Sequence, residues 1–154
     1  MAPLVIENPQ ALGQFVGREI GLSDWLQVSQ ERIAQFAAAT EDRQWIHLDR
    51  DRASAESPYR TTIAHGFLTL SLVSYFLKDV LEIAEGVRLT VNYGLNRVRF
   101  PAPVKVDSRI RARVVLVALG QGDEFLEATY SMTIGTEGSD KPNCVAEWIV
   151  RYYQ

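Results

Sequence analysis

The sequence predicts an α+β protein in which a curved antiparallel sheet wraps around one long buried helix. Two observations lead to this expectation. The run GFLTLSLVSYFL, which begins at Gly66, is almost uncharged and is long enough for a helix that other elements cover. After residue 86, long stretches of alternating apolar and polar residues follow one another, with turns but no helical stretch between them. The run at Gly66 is the obvious cover for the apolar face of that sheet.

Length and composition are those of one ordinary globular domain, residues 1–154. Of these residues, 47% are hydrophobic and 23% are charged, which is typical of globular proteins with a sizeable core. The formal net charge of −3 gives no general affinity for nucleic acid or for an anionic membrane surface. Cys144 is the one cysteine, so no intramolecular disulfide can form, which fits a reducing compartment. One cysteine with two histidines also argues against a structural zinc site.

Targeting and cofactor motifs are missing from the sequence. The first residues lack the basic start and apolar core of a signal peptide, and the run Phe67–Leu77 is too short to cross a bilayer. No Walker loop, GxGxxG, GxSxG or CxxC motif occurs. We therefore expect a cytoplasmic protein without a metal or cofactor of its own, and without a nucleic-acid or membrane partner.

The first half of the chain predicts helices between short irregular segments. Two prolines indicate that residues 1–12 form a weakly structured arm. Residues 18–21 fit a short first strand. Ser29 can cap a helix that runs to residue 39, since its side-chain oxygen can accept a bond from a free backbone N–H. A second, polar helix fits residues 50–57 and ends where a Ser-Pro pair breaks it.

The second half predicts long strands. From Val87 to Tyr93 apolar and polar residues alternate, and the apolar set changes face after Gly94, which indicates a bulge. Three further strands follow along the chain, so we expect an antiparallel meander with one covered face. The predicted apolar faces of these three strands are Ile110, Ala112, Val114 and Leu116; Leu126, Ala128, Tyr130, Met132 and Ile134; and Ala146, Trp148, Val150 and Tyr152.

Asp42 and His47 are the candidate catalytic pair. Asp42 comes just after the helix that Ser29 caps, and His47 follows five residues later. A neutral imidazole is a competent base near pH 7, and a carboxylate beside it can orient a water molecule. The alternative is that Asp42 caps a turn and that His47 packs in a core. The spacing alone leaves both interpretations open.

The helix start at Gly66 is the second candidate element of a site. A glycine lets a ligand approach closely, and a free N–H at a helix start can donate to an oxygen that gains negative charge. The alternative is a glycine that only permits tight packing. His65 is interpreted as a structural residue that holds the loop before the helix. Ser74 either bonds back to its own helix or reaches Asp42 and orients it.

Basic residues flank the turn FPAP at residues 100–103. Arg97, Arg99 and Lys105 could hold the phosphates of a large anionic substrate. The alternative, which is the more common use of such a run, is a solvated face of the sheet.

The stretches that carry these candidates resemble a known family. FAAATEDRQWIHLD, followed by TTIAHGFLTLSLVS, resembles the MaoC-like, (R)-specific enoyl-CoA hydratases, which have a hot dog fold. The variant QWIH and the later NYGLNRVRFPAPV resemble the nodulation protein N-like subgroup. The likeness runs from about Gly17 to the C-terminus. It implies a curved antiparallel sheet around a central helix, as the pattern predicts, and a homodimer or a pair of hot dog units.

The resemblance also implies roles for individual residues. The family's catalytic aspartate and histidine fall on Asp42 and His47, its oxyanion glycine falls on Gly66, and the helix serine that supports the aspartate falls on Ser74. Many members have Asn-Pro where this chain has Gln44-Trp45. Gln44 is therefore a candidate substitute for the asparagine amide.

The activity that the resemblance implies is reversible syn addition of water to a trans-2-enoyl-CoA, which gives an (R)-3-hydroxyacyl-CoA. Coenzyme A would enter only as part of the substrate. One alternative is a dehydratase for 3-hydroxyacyl groups on acyl carrier protein, and a thioesterase fits less well because water would have to attack C1. An alternative of another class is a non-catalytic module that binds acyl-CoA.

Overall fold

Six strands form one curved antiparallel sheet around the helical segment that begins at Gly66. The computed structural model describes residues 2–154. The strands are β1 (Leu4–Ile6), β2 (Arg18–Leu22), β3 (Leu26–Gln27), β4 (Leu81–Ile83), β5 (Leu89–Arg99), β6 (Arg109–Gln121), β7 (Phe125–Thr136) and β8 (Cys144–Tyr153). The helices are a 3-10 helix (Pro9–Phe15), α1 (Gln30–Thr40), α2 (Trp45–Leu48), α3 (Arg50–Glu56), α4 (Gly66–Ser71) and α5 (Val73–Val80). The predicted fold class is confirmed.

The order of the strands corrects the predicted meander. The large sheet has the order β2-β6-β7-β8-β5, and β3 also pairs with β6. Only β6, β7 and β8 follow one another as neighbours, and β5 crosses over to pair with β8. Alternation within a strand shows which side chains share a face, but it carries no information about which strand is the neighbour. The bulge predicted near Gly94 is present, because the register of β5 against β8 shifts between Asn92 and Gly94.

The inner face of the sheet is the core, as the alternation predicts. The inward residues of β6, β7 and β8 are all buried, with exposed fractions between 0 and 4%. They form one core cluster with residues of the covering helices, among them Leu68, Val73 and Phe76. Burial of this continuous apolar surface stabilises the curved sheet and fixes the helical segment across it.

The covering helix is not continuous, which corrects the prediction of one long helix. It divides at Leu72, where the backbone N–H bonds to Thr69 O, three residues back, at 3.2 Å. This tighter turn separates α4 from α5. The segment is also not buried all round, because Phe67 is 70% exposed and Tyr75 is 48% exposed. No helix among residues 2–154 has the length and apolar character needed to span a bilayer.

The N-terminal residues are regular, so the prediction of a weakly structured arm is wrong. β1 pairs in parallel with β4, with Leu4 beside Leu81. Asn8 then caps the 3-10 helix by accepting from the Ala11 N–H, and a proline occupies the first helical position. Proline is tolerated there because its missing N–H has no helical partner in any case. The buried side chain of Leu12 anchors this helix in the core.

The remaining elements of the first half confirm the sequence prediction. Ser29 Oγ accepts a hydrogen bond of 3.1 Å from the Arg32 N–H and so caps α1. The strand predicted at residues 18–21 is β2, and the polar helix predicted at residues 50–57 is α3. These helices and the loops between them lie before Gly66 in the chain and supply the side chains of the candidate site.

Candidate active site

His47 lies in the short helix α2 and is held by its ring. The residue is 6% exposed, and its Nδ1 lies 2.7 Å from the carbonyl oxygen of Ile63. A carbonyl can only accept, so Nδ1 carries the proton and donates it. In the neutral ring, Nε2 is then the nitrogen with the free lone pair. The contact with Ile63 thus makes His47 a base at a defined atom.

Asp42 and His65 complete a cluster with His47. Asp42 follows the end of α1, where Glu41 adopts a left-handed conformation with φ of 62° and turns the chain. His65 Nε2 donates to the backbone carbonyl of Asp42 at 2.9 Å. The two imidazole rings stack with their centroids 3.8 Å apart. One potential ligand atom from each residue, a ring nitrogen or a carboxylate oxygen, lies within 4.8 Å of those of the other two.

The surroundings of His47 favour its neutral form. Burial lowers the pKa of His47 below its usual value of 6.5. The hydrogen bond to Ile63 acts in the opposite direction, His65 lowers the pKa further, and Asp42 raises it. The net result is an imidazole that is neutral at pH 7 and ready to accept a proton at Nε2.

The hydrogen bonds of the cluster fit acid–base chemistry better than metal binding. Nδ1 of His47 and Nε2 of His65 each donate to a backbone carbonyl, so neither nitrogen is free to ligate. The rings are stacked with 24° between their planes, so lone pairs in those planes do not converge on one point. Zinc ligands at about 2.0–2.1 Å from one ion require such convergence.

Gly66 opens α4 beside a cavity. His65 precedes it without a side-chain cap, and the His65 carbonyl accepts from the N–H groups of Leu68 and Thr69. A methyl group in place of the Gly66 hydrogen would lie 3.1 Å from the Phe100 ring, so the space is closely filled. The cavity has a volume of about 280 Å³, and its lining includes His47, Tyr59, Gly66, Thr69, Phe100 and Asn143. The structure thus brings His47 and Gly66 to one cavity.

Gln44 and Ser74 do not join the cluster in the way that was predicted. Gln44 occupies the cap position of α2, where its carbonyl accepts from the His47 N–H, but its side chain makes no cap hydrogen bond and is exposed. Ser74 lies in α5 and lines a different cavity of about 370 Å³, together with Leu77 and Trp148. Within residues 2–154, no hydrogen bond joins Ser74 to Asp42.

Arg97 and Arg99 lie outside the cavity that contains His47. Arg97 is opposite Glu147 in the register of β5 and β8 and lines a shallow depression with Ser131. Arg99 is exposed, and its guanidinium donates to the carbonyl of Val98 at 2.7 Å. Their predicted contact with substrate phosphates therefore remains a prediction.

Several residues that shape the site were missed by the sequence analysis. The buried Asn143 accepts from Thr136 Oγ1 and donates to Pro103 O at 2.9 Å, which holds the FPAP turn over Gly66. Gln30 and Thr62 hydrogen-bond to each other, and Gln30 also bonds to the backbone of His47. Thr136 and Asn143 are seven residues apart, but the other partners are 17 to 40 residues apart along the chain, and no local pattern marks such contacts.

Comparison with known proteins gives the family. Residues 12–136 match the MaoC like domain. The 3-hydroxyacyl-thioester dehydratase Z of Mycobacterium tuberculosis is 50% identical over 147 residues, which cover 95% of this chain and 96% of that protein. Nodulation protein N of Rhizobium leguminosarum bv. viciae is 44% identical over 135 residues, 87% of this chain and 84% of that protein.

Solved structures give the same fold. The R-hydratase from Pseudomonas aeruginosa in its unliganded form superposes with a TM-score of 0.73 at 22% identity, over 90% of this chain and 82% of that chain. An (R)-hydratase from A. caviae superposes with a TM-score of 0.65 at 27% identity, over 84% of this chain and 95% of that chain. The chain belongs to the MaoC-like dehydratase family and is a hydro-lyase with the hot dog fold.

Proposed function

We propose that this protein catalyses the reversible addition of water to a trans-2-enoyl-CoA, which gives an (R)-3-hydroxyacyl-CoA. One observation carries the proposal: the Ile63 carbonyl fixes the proton of His47 on Nδ1, so that Nε2 keeps a free lone pair, and a carboxylate oxygen of Asp42 lies within 4.8 Å of a ring nitrogen of His47. His47 and Gly66 line the same cavity, whose wall combines apolar side chains such as Phe100 with a few polar ones, as suits an acyl thioester. The (R) configuration rests on family resemblance.

The proposed steps use only these groups and one water molecule. Asp42 and His47 orient the water, and Nε2 of His47 takes a proton as the water oxygen forms a bond to C3. The C2–C3 π electrons shift toward the thioester carbonyl, and the Gly66 N–H donates to the oxygen that gains charge. The protonated His47 then returns the proton to C2, on the face from which the oxygen was added. The net change is syn addition of one water molecule, and dehydration is the same path reversed.

A homodimer is the proposed assembly. β5 is an edge strand with β8 as its one neighbour in the described part of the chain, so its other edge is open for pairing. Its apolar residues Leu89, Val91, Tyr93 and Leu95 are between 40 and 54% exposed. An exposed apolar edge of this length favours a second copy that extends the sheet. Sedimentation should show a dimer at micromolar concentration, and a monomer would contradict the proposal.

The proposed reaction needs no cofactor, because coenzyme A is part of the substrate. We also propose a cytoplasmic location. Acyl-CoA substrates would be available there, and the reducing conditions would keep the buried Cys144 as a free thiol.

A hydratase assay tests the proposed function. Crotonyl-CoA and a longer trans-2-enoyl-CoA would be supplied, and loss of the conjugated thioester absorbance would be followed. Turnover that yields the (R)-3-hydroxyacyl product supports the proposal. If only thioesters of acyl carrier protein were turned over, the substrate would be carried by acyl carrier protein and not by coenzyme A. A folded protein that binds acyl-CoA without turnover of either thioester would contradict the enzyme and favour a binding module.

A further inference from the structure

Gln30 connects three segments that meet behind the His47 ring. It is the first residue of α1, directly after the capping residue Ser29. Its side-chain Nε2 donates to the backbone carbonyl of His47 at 2.7 Å. Its Oε1 accepts from Thr62 Oγ1 at 2.6 Å, and Thr62 has an exposed fraction of 0%. One amide thus joins α1, α2 and the segment that leads to His65.

The orientation of this amide is determined by its partners. If the amide were reversed, Oε1 would face the His47 carbonyl, and two acceptors would meet at hydrogen-bond distance. A carboxylate has no donor, so a glutamate at position 30 could not make the same pair of bonds. The chemistry of the position therefore calls for a side chain that both donates and accepts, at the length of glutamine.

The segment that Gln30 holds is the one that holds the His47 ring. Thr62 is adjacent to Ile63, whose carbonyl accepts the Nδ1 proton of His47. The Ile63 N–H in turn donates to Ile46 O at 3.1 Å. The backbone of His47 and the carbonyl that fixes its ring are therefore tied to one another through Gln30 and Thr62. Their relative position decides where Nε2 points.

We propose that Gln30 is a positioning residue that holds His47 in the orientation its acid–base role requires. The inference rests on the proposed function for the identity of the reaction. Gln30 does not line the cavity beside His47 and so acts through that residue. Misplacement of a reacting group by about 1 Å can cost about a hundredfold in rate. Loss of the amide should therefore lower kcat while KM stays nearly unchanged.

The test compares Gln30→Met with Gln27→Met. Methionine has nearly the length of glutamine but makes neither hydrogen bond. Gln27 is an exposed glutamine in β3 whose side chain makes one long contact of 3.5 Å, to Asp107 O, which makes it a matched control. We expect kcat for crotonyl-CoA to fall about 10- to 100-fold in Gln30→Met, with KM within about threefold of wild type. Gln27→Met should change neither.

A spectroscopic measurement keeps the inference separate from the proposed function. The chain has two histidines, so 15N-labelled imidazoles give few ring signals, and a His65→Gln sample assigns them. Wild type should show His47 in the Nδ1–H tautomer at neutral pH, and Gln30→Met should show a mixture of tautomers. A mixture of tautomers would support the positioning role of Gln30 even if wild type hydrated no enoyl thioester. Absence of hydration would contradict the proposed function and leave the inference about Gln30 standing.

Two outcomes would overturn the inference. In one, folded Gln30→Met keeps a wild-type kcat and the single Nδ1–H tautomer. In the other, KM rises or the melting temperature falls in Gln30→Met, while kcat per folded molecule and the tautomer of His47 stay unchanged. That result would assign Gln30 a purely structural role. If Gln30→Met does not fold, Thr62→Val replaces it: we expect a fall in kcat of a few-fold and a partial loss of the tautomer, and no change in either would count against Gln30.

Discussion

His47, in the short helix α2, and His65, just before α4, differ in which ring nitrogen donates to a backbone carbonyl. His47 donates from Nδ1 to the Ile63 carbonyl, which leaves Nε2 free on a ring that lines the cavity. His65 donates from Nε2 to the Asp42 carbonyl, and its Nδ1 is buried with no partner among residues 2–154. Both rings are buried and they stack on each other.

This difference separates a reacting imidazole from a supporting one. A base must present a lone pair where substrate and water can reach it, and the fixed Nδ1–H of His47 achieves this. His65 uses its ring N–H to donate to the backbone carbonyl of Asp42. This hydrogen bond holds the loop, and with it the Asp42 carboxylate, near His47. Identity of the residue and depth of burial do not distinguish the two histidines, whereas the hydrogen bond to the backbone does.

Replacement of each histidine by glutamine should give the largest contrast. His47→Gln removes the proton-accepting Nε2, so we expect kcat for crotonyl-CoA to fall about 10²- to 10⁴-fold. His65→Gln keeps an amide N–H that can donate to the Asp42 carbonyl, so its kcat should fall about tenfold at most. Steady-state kinetics on folded variants would measure both. A greater loss in His65→Gln than in His47→Gln would reverse the assignment of roles.

Asp42→Asn isolates the carboxylate from the loop. The contact with His65 uses the backbone carbonyl of Asp42, which the substitution leaves in place. The loop should therefore keep its position while the negative charge that orients the water is lost. We expect kcat to fall about a hundredfold, as for removal of an acid–base group, with little change in melting temperature. Activity close to wild type would show that His47 works without the carboxylate.

Gly66→Ala tests the space at the start of α4, which lines the same cavity as His47. The added methyl would approach the Phe100 ring to 3.1 Å, so the ring or the helix start must move by a few tenths of an ångström. The N–H remains but its direction changes, and we expect kcat/KM to fall about tenfold. Gly120→Ala is the matched control, since a methyl there meets nothing within 4 Å. Equal kinetics for the two variants would remove Gly66 from the site.

Most of the fold followed from the sequence because alternation and capping are local signals. The inward faces of β6, β7 and β8 were predicted residue by residue, and Ser29 marked the start of α1. The position of β5 did not follow, because strand order depends on contacts between distant residues. The break at Leu72 also had no local sign, since no proline or glycine occurs there.

The candidate site was predicted only as far as the residue types allowed. The Asp42 and His47 pair and the Ala-His-Gly start of α4 pointed to one place, and the structure brings these residues together. The tautomer of His47 could not be predicted, because the carbonyl that fixes it belongs to Ile63, 16 residues away. The supporting amide of Gln30 was missed for the same reason.

The smallest expected effect is the dependence of stability on pH. Because the folded protein lowers the pKa of His47 below 6.5, the unfolded chain binds a proton at this residue more readily than the folded chain does. The contribution of His47 to the free energy of unfolding is therefore complete above pH 6.5 and is lost as pH falls through the folded-state pKa. Urea unfolding of wild type between pH 5 and 8 should show lower stability on the acidic side, and His47→Gln should weaken that slope. The acidic limb of kcat/KM, which reports groups of the free enzyme, should likewise lie below pH 6.5, since protonation of Nε2 removes the base. A slope that is unchanged in His47→Gln would assign the pH dependence of stability to groups other than His47.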